Sequence, residues 1–405
     1  MKMKILFFLF FMMLGFPSSG LAVTHFQLAE HYAPVIYQDT DDSGCRYDFI
    51  TNVNFDGDWV GDNNWENAAT YSLPASVYYN VSETSTHWFI AYTFFHPRDW
   101  TESCAWLLCH ENDLEGILVV VRKDGSPYGS FVVMETKAHD NVYSYTNDPG
   151  VSKNHKSIEG KVLLVDGSHP GASIESKGHG VYSTLDDYAV EEIAEVNPAN
   201  PYYDVDFAGT EGVVYRYEGT AEQPPSCSGR DIGYQLTPVI DTLWEFRLAP
   251  FGDGHLFDSP FVYNGARLGR ALGDVAIGGN FDGADWTNDA ASAPWSLADD
   301  DAHVYRGDWM IDSAYAVKDH LNFPGNFSLD YITNPYLDIY YDLVLENKII
   351  LSGTIKSYTA INSITAGPNF TIESGADVTF KAGNQIRLVN GFTARSGSSF
   401  HAYLE

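Results

Sequence analysis

Residues 94–121 read FFHPRDWTESCAWLLCHENDLEGILVVV. The stretch ends in an apolar, β-branched run, Ile117 to Val121, which is the composition of a strand entering a core. Two histidines, five acidic residues and two cysteines stand in front of it or at its edge. A solvated loop tolerates such charges, whereas the mouth of a buried strand does not unless they are compensated. Side chains alternate along a strand, so Asp113 and Glu115 share one side. His110, at the loop-to-strand join, can turn toward the same side. Asp99 follows the preceding apolar run, HWFIAYTFF. If the two strands are neighbours, Asp99 meets His110 at their shared end. Three carboxylates and an imidazole then converge, and like charges that close repel and raise one another's pKa. A divalent cation resolves the conflict. Oxygen-rich ligation with one imidazole suits Mg²⁺, Mn²⁺ or Ca²⁺ better than structural Zn²⁺. The rival account of the same spacing is a set of solvated loop charges.

Working outward, the same texture recurs. GILVVVRK, GSFVVMET, KVLLVDG and GVVYRYEG are short β-branched and aromatic runs broken by Gly, Asn, Asp and Pro. They predict a mainly β chain built on a large β-sandwich. STLDDYAVEEIAEV (183–196) is the best helix candidate, with Leu185, Tyr188, Ala189 and Ile193 near helical spacing. NFDGDWVGDNNWENA (54–68) and NFDGADWTNDAASAPW (280–295) are two similar acidic loops, either alike in turn chemistry or paired near one face. DTDDSG (39–44) opens like a calcium loop, but Ile50 stands where that loop needs its bidentate Glu, so an Asx turn is the competing account.

From about residue 350 the texture changes. Glycines recur at 367, 375, 383 and 391. Between them alternate Phe370, Ile372, Val378, Phe380, Ile386 and Leu388. One strand of this length cannot bury its apolar side alone, so the units are expected to stack as a small C-terminal β-solenoid. The expected organisation is a signal peptide over 1–22, a metal-binding β-sandwich domain over 23–325, a strand-rich connector over 326–358 and a β-stack module over 359–405.

Residues 1–22 combine a basic start, an apolar run and a small-residue end, which marks a secretory signal cleaved after Ala22. The later sequence has no apolar run of about 20 residues, so no transmembrane segment is expected. Export predicts two disulfides among Cys45, Cys104, Cys109 and Cys227, with three connectivities open. No CxxC pair favours a Cys-only zinc site instead. The formal charge is −31, and loss of Lys2 and Lys4 with the signal makes it two more negative. So acidic a chain excludes nucleic acid as a partner and disfavours simple adhesion to anionic lipid. No GxxxxGK[ST] or GxSxG motif is present, which disfavours nucleotide hydrolysis and a hydrolase elbow.

AYTFFHPRDW followed by CHENDLEG resembles the central motif of the necrosis- and ethylene-inducing-peptide-like proteins. METKAHDNVYSY, with His139, and DGSHPGASIESKGHGVYS, with His169 and His179, extend the likeness. HYAPVIYQD, YDFITNVNFDGDWVGDNNWENA and SAPWSLADDDAHVYRGDWMIDSA resemble a broader vacuolar-sorting-protein-like family. Together these segments cover about residues 30–315. The resemblance implies a β-sandwich with Asp99, His110, Asp113 and Glu115 as metal ligands at a cavity mouth. Leu114 replaces the motif's Trp, and the insert TESCAWLLC is atypical. The resemblance also sets His139 and His179 near the cavity, as ligand contacts or as catalytic acid and base. His169, before Pro170, is expected at a turn. AGPNFTIESGADVTFKAG resembles β-stack modules that end exported proteins of Bacteroidetes, which implies a bacterial, secreted or cell-surface protein.

Two functions follow as expectations. The first is a metal-dependent glycan or glycolipid-headgroup binding protein, toxin-like in role, meeting a membrane surface or cell wall. Trp106, Leu107 and Leu108 are its candidate membrane-facing residues. The second is a metal-dependent hydrolase of a glycan or phosphodiester.

Overall fold

A computed structural model describes residues 23–40, 44–100, 109–139, 141–186, 212–250, 252, 254–257, 293–297, 304 and 307–404. The signal segment, the insert up to Leu108, most of the helix candidate and residues 280–292 of the second acidic loop lie outside them. So do Asp41, Asp42 and Ser43 of the DTDDSG stretch.

The chain is mainly β. Strands β1 (Val35–Gln38), β2 (Ser76–Thr84), β3 (His87–Asp99), β4 (His110–Arg122), β5 (Ser130–Ala138) and β6 (Asn141–Thr146) belong to one 14-stranded sheet. Strands β2 to β6 form an antiparallel meander. From β2 the sheet continues through Ser228–Pro238 and Gly212–Tyr217 to β1, then to His169–Ile174 and Val181–Ser183.

The apolar run of β4 is continuous because both faces are covered. Leu118 and Val120 join one core with Phe89, Ala91 and Phe95, under the helices Asp308–Ile311 and Ser313–His320. Ile117, Val119 and Val121 join the other, with Ile90, Tyr92 and Phe94. That second core also takes Ile36, Ile174, Val181, Val213 and Tyr215 from the far half of the sheet. The sheet therefore curls until its two halves face each other, which is the sandwich. The curl brings the end of β1 and the hairpin after Ile174 over the ends of β3 and β4.

The helix expected over 183–196 does not begin there. Val181–Ser183 and Leu185–Asp186 are strands, since Ser183 pairs with Ala172 and Leu185 with Lys161 in the sheet, and tertiary pairing overrides helical spacing. Its remainder lies outside the described residues. His169 begins a strand rather than a turn, with Nδ1 on the Ala33 carbonyl at 2.7 Å.

The C-terminal strands stack as three parallel three-stranded sheets around their own core of Ile364, Phe370, Ile372, Val378 and Phe380. Ile355 faces Asp377, which faces Ser399. One rung is thus 22 residues, the separation of the Asn347–Asn369 and Asn362–Asn384 side-chain ladders. The glycine spacing of eight marks corners within a rung. Gly353, Gly375 and Gly397, all at positive φ, are the corner that repeats from rung to rung. The first rung opens at Asp342, inside the strand-rich lead-in.

Candidate metal and ligand site

β3 and β4 pair so that His96 lies opposite Asp113, Phe94 opposite Glu115 and Asp99 opposite His110. Partners across an antiparallel ladder project to the same face, so Asp113 and Glu115 join His96 on the interior side. Asn112 sits between with φ 62°. It is clamped by the loop 54–68: Asn64 Nδ2 donates to its Oδ1 at 2.6 Å, and its own Nδ2 donates to the Gly61 carbonyl at 2.5 Å. Beside it, the Glu111 carboxylate accepts the Trp65 N–H, and Arg98 stacks between Tyr47 and Trp65. The first acidic loop therefore braces the motif strand.

The opposite side of the site comes from the hairpin Glu175–Gly180, whose tight turn holds Lys177 and His179 at φ 67° and 52°. His179 is fully buried. Its Nδ1 meets Asp113 Oδ2 at 2.8 Å and its Nε2 meets Asp48 Oδ1 at 3.3 Å. Asp48, also fully buried, accepts from Trp100 Nε1 at 2.8 Å and from the Lys177 N–H at 3.0 Å. It lies on the short 3-10 turn Cys45–Asp48, fastened by the Cys45–Cys227 disulfide. Cys109 is also disulfide-bonded, and Cys104 lies outside the described residues.

His96 is fully buried and stacks on His179. Its Nε2 meets Gln38 Oε1 at 3.0 Å. Gln38 turns its amide nitrogen to the carbonyls of Asp39 and Glu175, at 2.9 and 3.2 Å. His139, on a left-handed residue after β5, is 37% exposed and bonds Glu175 Oε1 through Nε2 at 2.6 Å. Its N–H donates to Glu115 Oε1 at 3.0 Å. Gly180 also donates to Glu175, and a Cβ there would come within 2.8 Å of that carboxylate.

Electrostatics follow from this packing. Burial pushes the Glu115 carboxyl up to about 8, against the pull of Lys137 and with a push from Asp113. Burial pulls His179 down, but Asp113 and Asp48 outweigh it and raise it to about 10. Burial likewise opposes His139, yet Glu175, Glu115 and Asp113 raise it to about 9. Burial, with His179 adding, holds His96 well below the usual range. The carboxylates are thus not uncompensated. His179 lies between two of them and His139 caps a third, so the repulsion expected from sequence is partly relieved by the protein's own cations.

One ligand atom from each of His96, Asp113 and His179 lies within 4.8 Å of the others, and this buried group could hold a metal ion. Among the described residues, His96 Nδ1 within the group has no hydrogen-bond partner, and neither does Glu115 Oε2, on the residue two along β4 from Asp113. Of the residues expected from sequence, Asp113 and His179 fall in the group. Glu115 is two residues along β4, and His139 touches it. Asp99 and Glu115 are not in the group, and the His110 side chain lies outside the described residues. His96, Asp48, Gln38 and Glu175 were not singled out from sequence. For His96 a signal existed, since two residues past the core position Phe94 it shares that residue's face.

No protein-family profile and no curated protein matches the chain. Among solved structures, it is similar to the non-toxic HaNLP3 protein, at 19% identity and TM-score 0.27 over 40% of this chain and 71% of that one. It is similar to NLPPya in complex with glucosamine at 20% identity and TM-score 0.20, spanning 27% of this chain and less than half, 44%, of that one. A third similar structure is Necrosis and Ethylene inducing Protein 2 from the causal agent of cocoa's Witches Broom disease, at 14% identity and TM-score 0.25 over 39% and 67%. Among the described residues no helix is long and apolar enough to cross a membrane.

Proposed function

We propose that this is an exported protein that binds a glycan or glycolipid headgroup through a divalent cation, in a toxin-like role at a membrane surface or cell wall. The observation that carries the proposal is the buried group His96, Asp113 and His179, with ligand atoms within 4.8 Å of one another, in which His96 Nδ1 has no hydrogen-bond partner among the described residues. A buried polar atom without a partner costs about 1–3 kcal/mol. A buried nitrogen lone pair beside a carboxylate is what a cation would satisfy. Hard divalent cations take oxygen ligands, a class to which sugar hydroxyls belong. The partly exposed His139 is placed to meet a ligand that reaches Glu115.

The test is titration of the metal-stripped and metal-loaded protein with glucosamine and mannosamine, followed by a glycan and glycolipid array. Binding only in the loaded state supports the proposal, and equal binding in the stripped state refutes it.

One observation favours hydrolysis as the second possibility. His139 is backed by the buried Glu175, an arrangement that can orient a general acid or base. Turnover of glycan and phosphodiester substrates by the loaded protein decides between the two.

A further inference from the structure

The rungs of the C-terminal stack can be compared position by position, because their strands pair in register. In the middle rung the inward residues Ala366, Ile372, Phe380 and Ala382 are fully buried. Their partners one rung on are Leu388, Ala394, Ala402 and Leu404. All four are exposed, Leu388 by 48% and Leu404 by 62%. The apolar column inside the stack is therefore uncovered at the terminal rung. Stacked repeats need an end with a polar outer face, and this end is apolar. Its backbone is open as well. Gln385–Leu388, Phe392–Ala394 and Ser399–Leu404 are each the outermost strand of their sheet. The Ser399 N–H donates to the Ala376 carbonyl of the rung before, at 2.8 Å. Peptide groups alternate in direction along a strand, so Phe400, Ala402 and Leu404 turn theirs to the open edge. An apolar edge of this kind is a template for another strand.

Two observations say which strand it takes. The first is charge. A chain of formal charge −31 repels its own copies over an acidic surface. Residues 385–404 contain no Asp or Glu, and of their two arginines Arg395 is bonded to Glu373 at 3.2 Å. The tip is thus a place where two copies can meet without bringing carboxylates together. The second is self-complementarity. Set antiparallel to its own copy about a twofold axis at Ala402, Ser399–Leu404 places Ala402 opposite Ala402 and Phe400 opposite Leu404. Those are the residues whose peptide groups face the edge, so the hydrogen bonds match, and the inward side chains of both copies stay inward. The same axis brings Gln385–Leu388 against Phe392–Ala394 of the second copy. We infer that two copies of this chain join tip to tip through their terminal rungs, continuing one apolar column across a twofold axis. The contact is isologous, so it closes at the dimer. It carries the two sandwiches at opposite ends of a joined stack and is independent of the metal-dependent function proposed above.

Sedimentation equilibrium of the full oxidised chain over a concentration series is the test, and the mass should approach twice that of the chain and stop there. Ala402→Pro removes one outward N–H, a change that an edge strand open to water tolerates but a paired one does not. Leu404→Lys puts a charge where the single copy is exposed and the dimer is not. Each should raise the dimer's dissociation constant by about tenfold or more, with the far-ultraviolet circular dichroism of the chain unchanged. Ile355→Lys, at an apolar position 85% exposed on the first rung, should change that constant by less than about twofold. A single-copy mass at every concentration overturns the inference. Growth beyond the dimer does so too, since a twofold contact leaves no edge free. Dissociation by Ile355→Lys but not by Leu404→Lys would place the contact on the side of the stack and overturn it equally.

Discussion

The imidazoles of His96 and His179 lie face to face, 3.8 Å between centroids and 3° from parallel. One lies three residues before the end of a core strand and the other sits on a hairpin turn from the far half of the curled sheet. The stack is therefore a consequence of the curl. Its members are tied down from behind, His96 by Gln38 and His179 by Asp48.

Stability of the metal-free protein should fall as pH rises from about 7 to 10. Folding raises His139 from 6.5 to about 9, His179 from 6.5 to about 10 and Glu115 from 4.5 to about 8. Each binds its proton more tightly when folded, so the native state holds more protons across that window, and stability declines with pH wherever that is so. His96 and His87 are lowered by burial and act in the opposite sense, but only below their unfolded value of 6.5. Urea midpoints at pH 7, 8.5 and 10 in chelator check this, and a rising midpoint contradicts it.

Asp48→Ala should destabilise the fold by about 3–5 kcal/mol, because it strips a buried carboxylate from His179, Trp100 Nε1 and the Lys177 N–H together. Asp48→Asn keeps an acceptor and should cost less. Equal losses for the two would mean that the charge, rather than the accepted bonds, is what matters.

The fold was largely legible because β-branched runs such as GILVVV can be satisfied only by burial on both faces. The C-terminal stack was visible in its alternation. Its 22-residue rung was not, because the glycines that repeat at that interval, Gly353, Gly375 and Gly397, are interleaved with other corner glycines. At the site, Asp113 and Glu115 were readable from strand alternation alone. Asp48 and Glu175 were not, since they enter through the curl of the sheet, and nothing in CRYD or IESK announces which strand end they will face. His96 was within reach, since the pairing of Asp99 with His110 expected from sequence is the observed register and already sets His96 opposite Asp113.

Removing the Cys45–Cys227 disulfide by paired serine substitution should cost about 2–5 kcal/mol, since it closes a separation of 182 residues. The site should loosen too, because Asp48 ends the turn that Cys45 begins. Calorimetry of the double variant checks the first effect, and its divalent-cation affinity checks the second.

The C-terminal stack should unfold separately from the sandwich, because its core shares no residue with the two sheet cores. Phe370→Ala, at a fully buried position, should lower only the stack's transition, by about 3–5 kcal/mol. Gly375→Ala should do likewise, as its φ is +84° and a Cβ would come within 2.6 Å of Ser352 Oγ. A single transition shifted as a whole in either variant would mean one cooperative unit. Limited proteolysis between the two parts, releasing an intact N-terminal fragment, is the independent check.

His139→Ala separates the two proposed functions. The side chain is partly exposed, held by Glu175 through Nε2 and by Glu115 through its backbone N–H. Truncation removes the first bond and leaves the second, so the position of Glu115 should survive. In a binding protein the change then appears only as weaker affinity for the headgroup, by about tenfold or less for one lost contact. In a hydrolase with His139 as acid or base, turnover falls by about a hundredfold or more at nearly constant affinity, and the loss flattens one limb of the pH profile. Glu175→Gln sharpens the comparison, because it keeps the shape behind the imidazole and removes the charge that raises it. A hydrolase would show that limb moving to lower pH, since His139 would lose its proton more easily. A binding protein would show only a modest change in affinity. Unchanged affinity and no turnover in wild type and variant alike would remove His139 from the function altogether.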